Sequence, residues 1–198
     1  MTQIVNTTNP DAIAQAVALL QQREVIAIPT DTVYGVAALA LNPDAVAKIF
    51  QVKERPLDKP LPVFVPTIDD LDLVCQNVSA NVVAILAKHW PGALTAVLPV
   101  SPKLPKIVVN NGDTVGVRIP DYPLITQLLA ELQQPLAVTS ANRSGYSNTQ
   151  TALEVETQLK GRIPLILDGG PTASSVASTV VDFTQEPPQV LRQGAVYI

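Results

Sequence analysis

The sequence predicts an α/β protein built on a twisted, open, mixed sheet flanked by helices. Three observations carry that prediction. Short β-branched apolar runs alternate with segments of helical period for most of the length. Toward the C-terminus strand signals dominate, which argues against a purely parallel sheet. The chain has 198 residues, 47% of them hydrophobic and 15% charged, which suits one compact core. No Gly/Ser-rich linker, composition shift or solenoid repeat divides it, so a single domain over residues 1–198 is expected.

Each element has a local reason. Asn9-Pro10-Asp11 reads as a helix start, Asn9 the cap and Pro10 in the first turn, with Ile13, Val17 and Leu20 following at helical spacing. Residues 25–28 form a β-branched run of buried-strand type, and residues 36–41 read as the next strand. Asn42-Pro43-Asp44 repeats the cap signal ahead of Val46, Ile49 and Phe50, in a helix that delivers Lys53 at its end. A strand is expected at 62–65. Thr67 and Asp70 then form a capping arrangement for a helix through Cys75, whose spacing with Leu71, Val74 and Val78 predicts that the thiol is in the core. Ser79 caps a helix presenting Val82, Val83, Leu86 and Ala87, with His89 in its last turn before Trp90-Pro91-Gly92. Strands at 94–98 and 114–119 follow. Pro123 opens a helix to Leu132, and a strand at 136–139 runs into Ser140-Ala141-Asn142. A helix at 152–159, a strand at 164–167, a Gly-Gly turn and strands at 178–182 and 189–192 complete the chain.

Composition removes several classes of chemistry. One His and one Cys exclude a His-based metal site, a thiolate cluster and an internal disulfide. Neither a P-loop nor a Gly-x-Gly-x-x-Gly fingerprint occurs, and no Gly-x-Ser-x-Gly elbow accompanies the lone His89. The N-terminus lacks the basic and apolar regions of a secretory signal. No apolar run approaches the roughly 20 residues that a membrane helix needs, so a cytoplasmic protein without a membrane partner is expected. A net charge of −4 opposes nonspecific binding of polyanions unless cations gather in one cleft.

Cations do gather locally. Lys53, Arg55 and Lys59 fall within seven residues, where 13 Lys plus Arg in 198 would place about half of one by chance. Pro56 and Pro60 forbid a regular helix there, so the segment is either a phosphate clamp or an ordinary exposed loop. Near strand ends stand Thr30 and Thr32, Thr114 and Arg118, Ser140 and Asn142, Ser178 and Arg192. Taken singly such hydroxyls serve turns and caps. Together, many donors and fixed cations without an obvious nucleophile or base suit phosphoryl or nucleotidyl transfer by positioning and charge stabilisation.

Seven segments carry a resemblance. They are Pro29-Thr30-Asp31-Thr32-Val33-Tyr34-Gly35, Lys53-x-Arg55-Pro56 with Lys59-Pro60-Leu61, and Trp90-Pro91-Gly92 with Leu94-Thr95. Val117-Arg118-Ile119-Pro120, Ser140-Ala141-Asn142-x-Ser144-Gly145, Ser178-Thr179-Val180-Val181-Asp182 and Leu191-Arg192-x-Gly194 follow in that order. In this the chain resembles the YrdC-type family and, within it, the threonylcarbamoyl-AMP synthases. The resemblance implies a concave basic cavity on the sheet. It also implies an enzyme joining L-threonine, bicarbonate and ATP into threonylcarbamoyl-adenylate with release of pyrophosphate. The product would pass to a separate threonylcarbamoyl transferase complex acting on the tRNA adenosine beside the anticodon, and tRNA itself is a candidate partner.

Residue by residue, the resemblance implies that Thr30 contacts threonine, Arg118 pairs with its carboxylate and Ser178 helps seat it. Lys53 and Arg55, with Lys59 and Arg192 nearby, would hold the triphosphate and oppose the charge that develops as pyrophosphate leaves, Lys53 and Arg55 being the catalytic pair. Thr114, Ser140 and Asn142 would bond the nucleotide or the carbamate, and Mg2+ would bridge ATP phosphates without a protein cage. Val36 stands where many members have Leu, a packing change. Ending at Ile198, the chain resembles the short members, and residues 53–61 are the candidate lid. The alternatives are an RNA-binding member of the family and a paralogue that adenylates a different carbamoyl acceptor.

Overall fold

The structure, a computed structural model, describes residues 1–172 and 177–198. Its strands are β1 (Gln3–Asn6), β2 (Ile26–Ile28), β3 (Gly35–Leu39), β4 (Val63–Phe64), β5 (Leu94–Pro99), β6 (Thr114–Arg118), β7 (Leu136–Ser140), β8 (Leu165–Asp168), β9 (Thr179–Asp182) and β10 (Gln189–Arg192). They form one sheet in the order β1-β8-β2-β3-β7-β4-β6-β5-β9-β10. Parallel pairs (β1 with β8, β2 with β8, β4 with β6, β5 with β9) mix with antiparallel ones, as the strand-rich C-terminal part implied. The sheet is open, with β1 and β10 at its edges.

The helices are α1 (Ala12–Gln21), α2 (Pro43–Lys53), α3 (Ala80–Leu86), α4 (Pro123–Leu132) and α5 (Ala152–Leu159), with a 3-10 helix at Ile68–Leu73. Cap chemistry sets several of their starts. The Asn42 side chain accepts from Ala45 N, Ser79 from Val82 N and Thr151 from Glu154 N, while Thr67 and Asp70 close a reciprocal capping box.

Four expectations shift. Strand β1 carries too short an apolar signal to be read locally; only its parallel register on β8 makes it a strand. Asn9 does not cap α1: its Oδ1 accepts from Asp11 N at 3.0 Å in a turn, and Asp11 takes the cap position. The helix expected through Cys75 stops at Leu73. Cys75 is buried as foreseen, but in an antiparallel bridge to Val100. His89 lies in a turn beyond α3 rather than in its last turn, because α3 ends at Leu86.

Two apolar layers sandwich the sheet, and the two-residue period of strands assigns side chains to them. Val36 and Ala38 of β3, Val115 and Val117 of β6 and Leu94, Ala96 and Leu98 of β5 join Val46, Ile49 and Phe50 of α2. On the other face Ile26 and Ile28 of β2, Ala37 and Leu39 of β3 and Leu136 and Val138 of β7 pack on Leu20 of α1 and Leu128 of α4. Helices α1 and α4 cover that second face only as far as β7 and β4. Beyond them β6, β5, β9 and β10 turn the same face toward a cavity.

Candidate functional site

The cavity has a volume of about 560 Å³, within the range of small-molecule sites. Strand alternation supplies its floor: Thr114, Gly116 and Arg118 of β6 and Thr95 and Val97 of β5 line it, while their odd-numbered or even-numbered neighbours enter the core. Gly116 keeps that floor low. A Cβ there would stand 3.2 Å from the Thr95 side chain. Seven of the ten expected site residues line this one space, namely Thr30, Arg55, Thr114, Arg118, Ser140, Ser178 and Arg192. The lining includes three guanidinium groups and no carboxylate, so its field favours anions.

Arg118 is buried at 3% exposure, and four of the five N–H donors of its guanidinium are engaged. Nε donates to Gly92 O at 2.9 Å, Nη1 to Thr32 Oγ1 at 3.2 Å, and Nη2 to both Asp31 carboxylate oxygens at 2.6 Å. The Trp90-Pro91-Gly92 turn thus serves the site: Trp90 Nε1 donates to Leu94 O and Gly92 N to Ile119 O, fixing the carbonyl that orients Arg118. Burial lowers the Arg118 pKa and Asp31 opposes that shift. Thr30 donates to Val33 O at 2.7 Å, so the 3.0 Å contact between the two threonine hydroxyls is donated by Thr32. Thr30 Oγ1 also accepts from Thr32 N at 3.1 Å, whereas Thr32 Oγ1, which accepts from Arg118, keeps one lone pair; both residues line the cavity.

A second cluster forms across the cavity. Ser178, just before β9, shares a 2.8 Å hydrogen bond with Thr95. Arg192 Nη2 donates to Ser178 O at 2.9 Å and to Ser178 Oγ at 3.2 Å. Gly194 makes this possible. A Cβ there would collide with Ala177 O and the backbone of Ser178 and Thr179, so only glycine lets the tail lie against the segment that presents Ser178. Thr179 Oγ1 then accepts from Gly194 N and Val196 N, both at 3.0 Å.

Three expected residues lie outside the lining. Lys53 is 1% exposed beneath the cavity wall. Its Nζ donates to Asn142 O at 2.7 Å and to Ser140 O, and its own carbonyl accepts from Ser144 N at 2.9 Å. In this structure it braces the 140–144 turn and does not line the cavity. Burial and then the neighbouring Arg55 lower its pKa to about 7, and the neutral amine retains two N–H donors for the two carbonyls. Asn142 is buried likewise, its Nδ2 donating to Tyr146 O and Arg143 O and its Oδ1 accepting from Ser140 Oγ. Lys59 is exposed; its backbone N–H donates to Pro56 O at 3.4 Å and its carbonyl accepts from Arg55 Nε at 3.3 Å, while Arg55 Nη2 reaches Pro60 O at 3.1 Å. These bonds fold residues 55–60 into a loop at the cavity edge, where the lid was expected.

Phe64, Thr95, Gly116 and Asn148 also line the cavity and were not singled out as site residues. Phe64 read only as part of the strand at 62–65, and its ring lies 5.8 Å from Arg118 Cζ. Thr95 stood only inside a motif, and its strand alternation was the signal available. Asn148 lies in an irregular stretch where no local pattern points to a site.

Comparison with known proteins bears on the family and the fold. The profile of the Sua5, YciO and YrdC family, described as telomere recombination, matches residues 18–194. A Bacillus subtilis threonylcarbamoyl-AMP synthase is 43% identical over 191 residues, 96% of this chain and 55% of the relative. One from Vibrio parahaemolyticus is 35% identical over 93% of this chain and 100% of its own length. Among solved structures, Pyrococcus abyssi Sua5 complexed with L-threonine superposes with a TM-score of 0.94 at 36% identity, covering 98% of this chain and 58% of that one. The chain thus spans little more than half the length of the Bacillus and Pyrococcus proteins. By profile, sequence and fold it belongs to the Sua5/YciO/YrdC family.

Proposed function

We propose that this chain is a nucleotidyltransferase that makes L-threonylcarbamoyl-adenylate and pyrophosphate from L-threonine, bicarbonate and ATP. The observation that carries the reading is convergence: Thr30, Thr32, Arg55, Thr114, Arg118, Ser140, Ser178 and Arg192, drawn from separate segments, line one cavity of nucleotide-compatible size. The names of the relatives support it, as does the threonine complex of the Pyrococcus protein.

In this reading threonine lies between Arg118, Thr32 and Ser178, its carboxylate toward the guanidinium. Its amine condenses with bicarbonate, with loss of water, to give a carbamate. A carbamate oxygen then bonds to the α-phosphorus of ATP, the bond from that phosphorus to the bridging oxygen breaks, and pyrophosphate leaves. Arg55 and Arg192 face the charge that builds on the leaving phosphates, with Lys59 at the loop edge. Thr114 and Ser140 bond the nucleotide. Lys53 and Asn142 act from behind by holding the 140–144 turn. The lining offers cations and hydroxyls rather than carboxylates, and among the described residues no group of three His, Cys, Asp or Glu could hold a metal. That donor set fits Mg2+ entering on ATP, with the phosphates as its ligands.

The product is handed to a separate transferase acting on the tRNA adenosine beside the anticodon, in the cytoplasm. Among the described residues no helix is long and apolar enough to cross a membrane. The test is to incubate the protein with ATP, Mg2+, bicarbonate and each amino acid in turn. Pyrophosphate release that requires both bicarbonate and threonine is expected; release independent of either, or none, overturns the proposal. Arg55→Ala is expected to lose turnover far more than threonine affinity, measured by single-turnover kinetics beside calorimetry.

A further inference from the structure

The Arg118 guanidinium has five N–H donors. One, on Nε, goes to Gly92 O; one, on Nη1, goes to Thr32 Oγ1; both on Nη2 go to the Asp31 carboxylate. A single N–H on Nη1 is left, and one donor cannot make a two-bond pair with a second carboxylate. Asp31 is itself well anchored: its side chain is 15% exposed beside an Arg118 side chain at 4%, and Asp121 N donates to its Oδ2 at 3.3 Å. It lies between Thr30 and Thr32 in sequence, and Thr32 Oγ1 accepts from the same guanidinium.

We propose that Asp31 holds the guanidinium edge that the substrate's carboxylate must take, so that amino-acid binding is an exchange of one carboxylate for another on Arg118. The inference rests on the assignment of Arg118 to the amino-acid carboxylate. Its physical basis is the cost of leaving a buried guanidinium uncompensated. Asp31 can leave only if an equivalent charge arrives, and an acceptor without an anionic group at this position cannot supply one. Asp31 therefore acts as a selectivity filter for carboxylate-bearing acceptors. It also weakens their apparent affinity, because Arg118 is competent only in the fraction of molecules in which Asp31 has turned away. The opposite arrangement, with Asp31 retained and merely orienting Arg118, makes Asp31 a buttress and reverses the prediction.

The experiment is calorimetric titration of wild-type protein and Asp31→Asn with L-threonine and with L-threoninol, which lacks the carboxylate. Asparagine keeps the shape and one acceptor while removing the charge. Threonine is expected to bind Asp31→Asn on the order of tenfold more tightly than wild type, with threoninol unchanged. Asp31→Ser, smaller and also neutral, provides the same reading if the amide variant does not fold. Threonine binding that is unchanged or weaker in a folded variant overturns the exchange while leaving the site assignment intact. Equal tightening for threoninol also overturns it, because the gain is then not a carboxylate effect. A wild-type protein that binds no threonine overturns the functional reading, and the exchange falls with it.

Discussion

The two halves of one sheet face make the most instructive comparison in this molecule. Under α1 and α4, strands β2, β3 and β7 send Ile26, Ile28, Leu39, Leu136 and Val138 into a layer shared with Leu20 and Leu128. A few strands further on, the same alternation sends Thr95, Val97, Thr114, Gly116 and Arg118 into open space. The backbone rule is identical in both halves, and on the reverse face both are equally apolar. What differs is the presence of a helix above, and the side chains match that difference. Where a helix covers the strands, the residues are aliphatic; where none does, small, hydroxylated and cationic residues join a few aliphatic ones such as Val97. Phe64 and Val138 belong to both the covered layer and the cavity wall and mark the line between them.

The two halves are expected to fail in different ways, one in binding and the other in stability. Arg118→Ala, on the open half, is expected to give the largest functional loss, threonine affinity falling by about 2–5 kcal/mol; unchanged affinity in calorimetry would remove Arg118 from the site. Leu128→Ala, on the covered half, is expected to lower stability by a similar 2–5 kcal/mol or so through its cavity. The urea midpoint reads that loss, and the still-folded variant keeps its threonine affinity. Gly116→Leu sharpens the contrast, since it fills the open half with a side chain that would suit the covered one. Nucleotide binding is expected to fall at least about thirtyfold, while the melting temperature moves by less than about 4 °C, roughly the shift of a 1 kcal/mol change in a chain of this size. Parallel losses of stability in both variants would mean that the two halves are not separate in function.

A subtler effect concerns Lys53. Its folded pKa of about 7 lies below the ordinary 10.5, so between those values the unfolded chain binds more protons and stability rises with pH. The penalty for burying the charge is complete below about pH 7 and fades toward 10.5. Lys53→Met is expected to flatten the rise in urea midpoint between pH 7 and 9.5, and an unaltered slope would show that the amine is not the group responsible. Smallest of all is Cys75, whose thiol burial pushes up to about 12. At pH 8 it is expected to react with iodoacetamide only as fast as the chain opens, and rapid labelling under native conditions would contradict its place beside Val100.

How much of this was legible beforehand varied with the kind of signal. Pro123–Leu132, Ala152–Leu159 and Gln189–Arg192 have the bounds that their local residues implied, because proline, caps and periodicity act within a few positions. Strand β1 was missed because its stability comes from β8, more than 150 residues away in sequence. At the site, residue type and motif singled out Arg55, Arg118 and Arg192, all of which line the cavity. They could not tell Arg55, which lines the cavity, from Lys53 two residues earlier, which is turned inward to two carbonyls.

Alone, the sequence determined the α/β mixed architecture, most helix ends, the burial of Cys75 and the small set of polar residues from which a site could be made. Strand order, the limit of helical cover and the partners of each charge were decided only in the folded molecule. The reason is physical. Periodicity and capping are short-range properties of adjacent residues, whereas the pairing of Arg118 with Asp31, 87 positions apart, depends on which distant segments the sheet brings together.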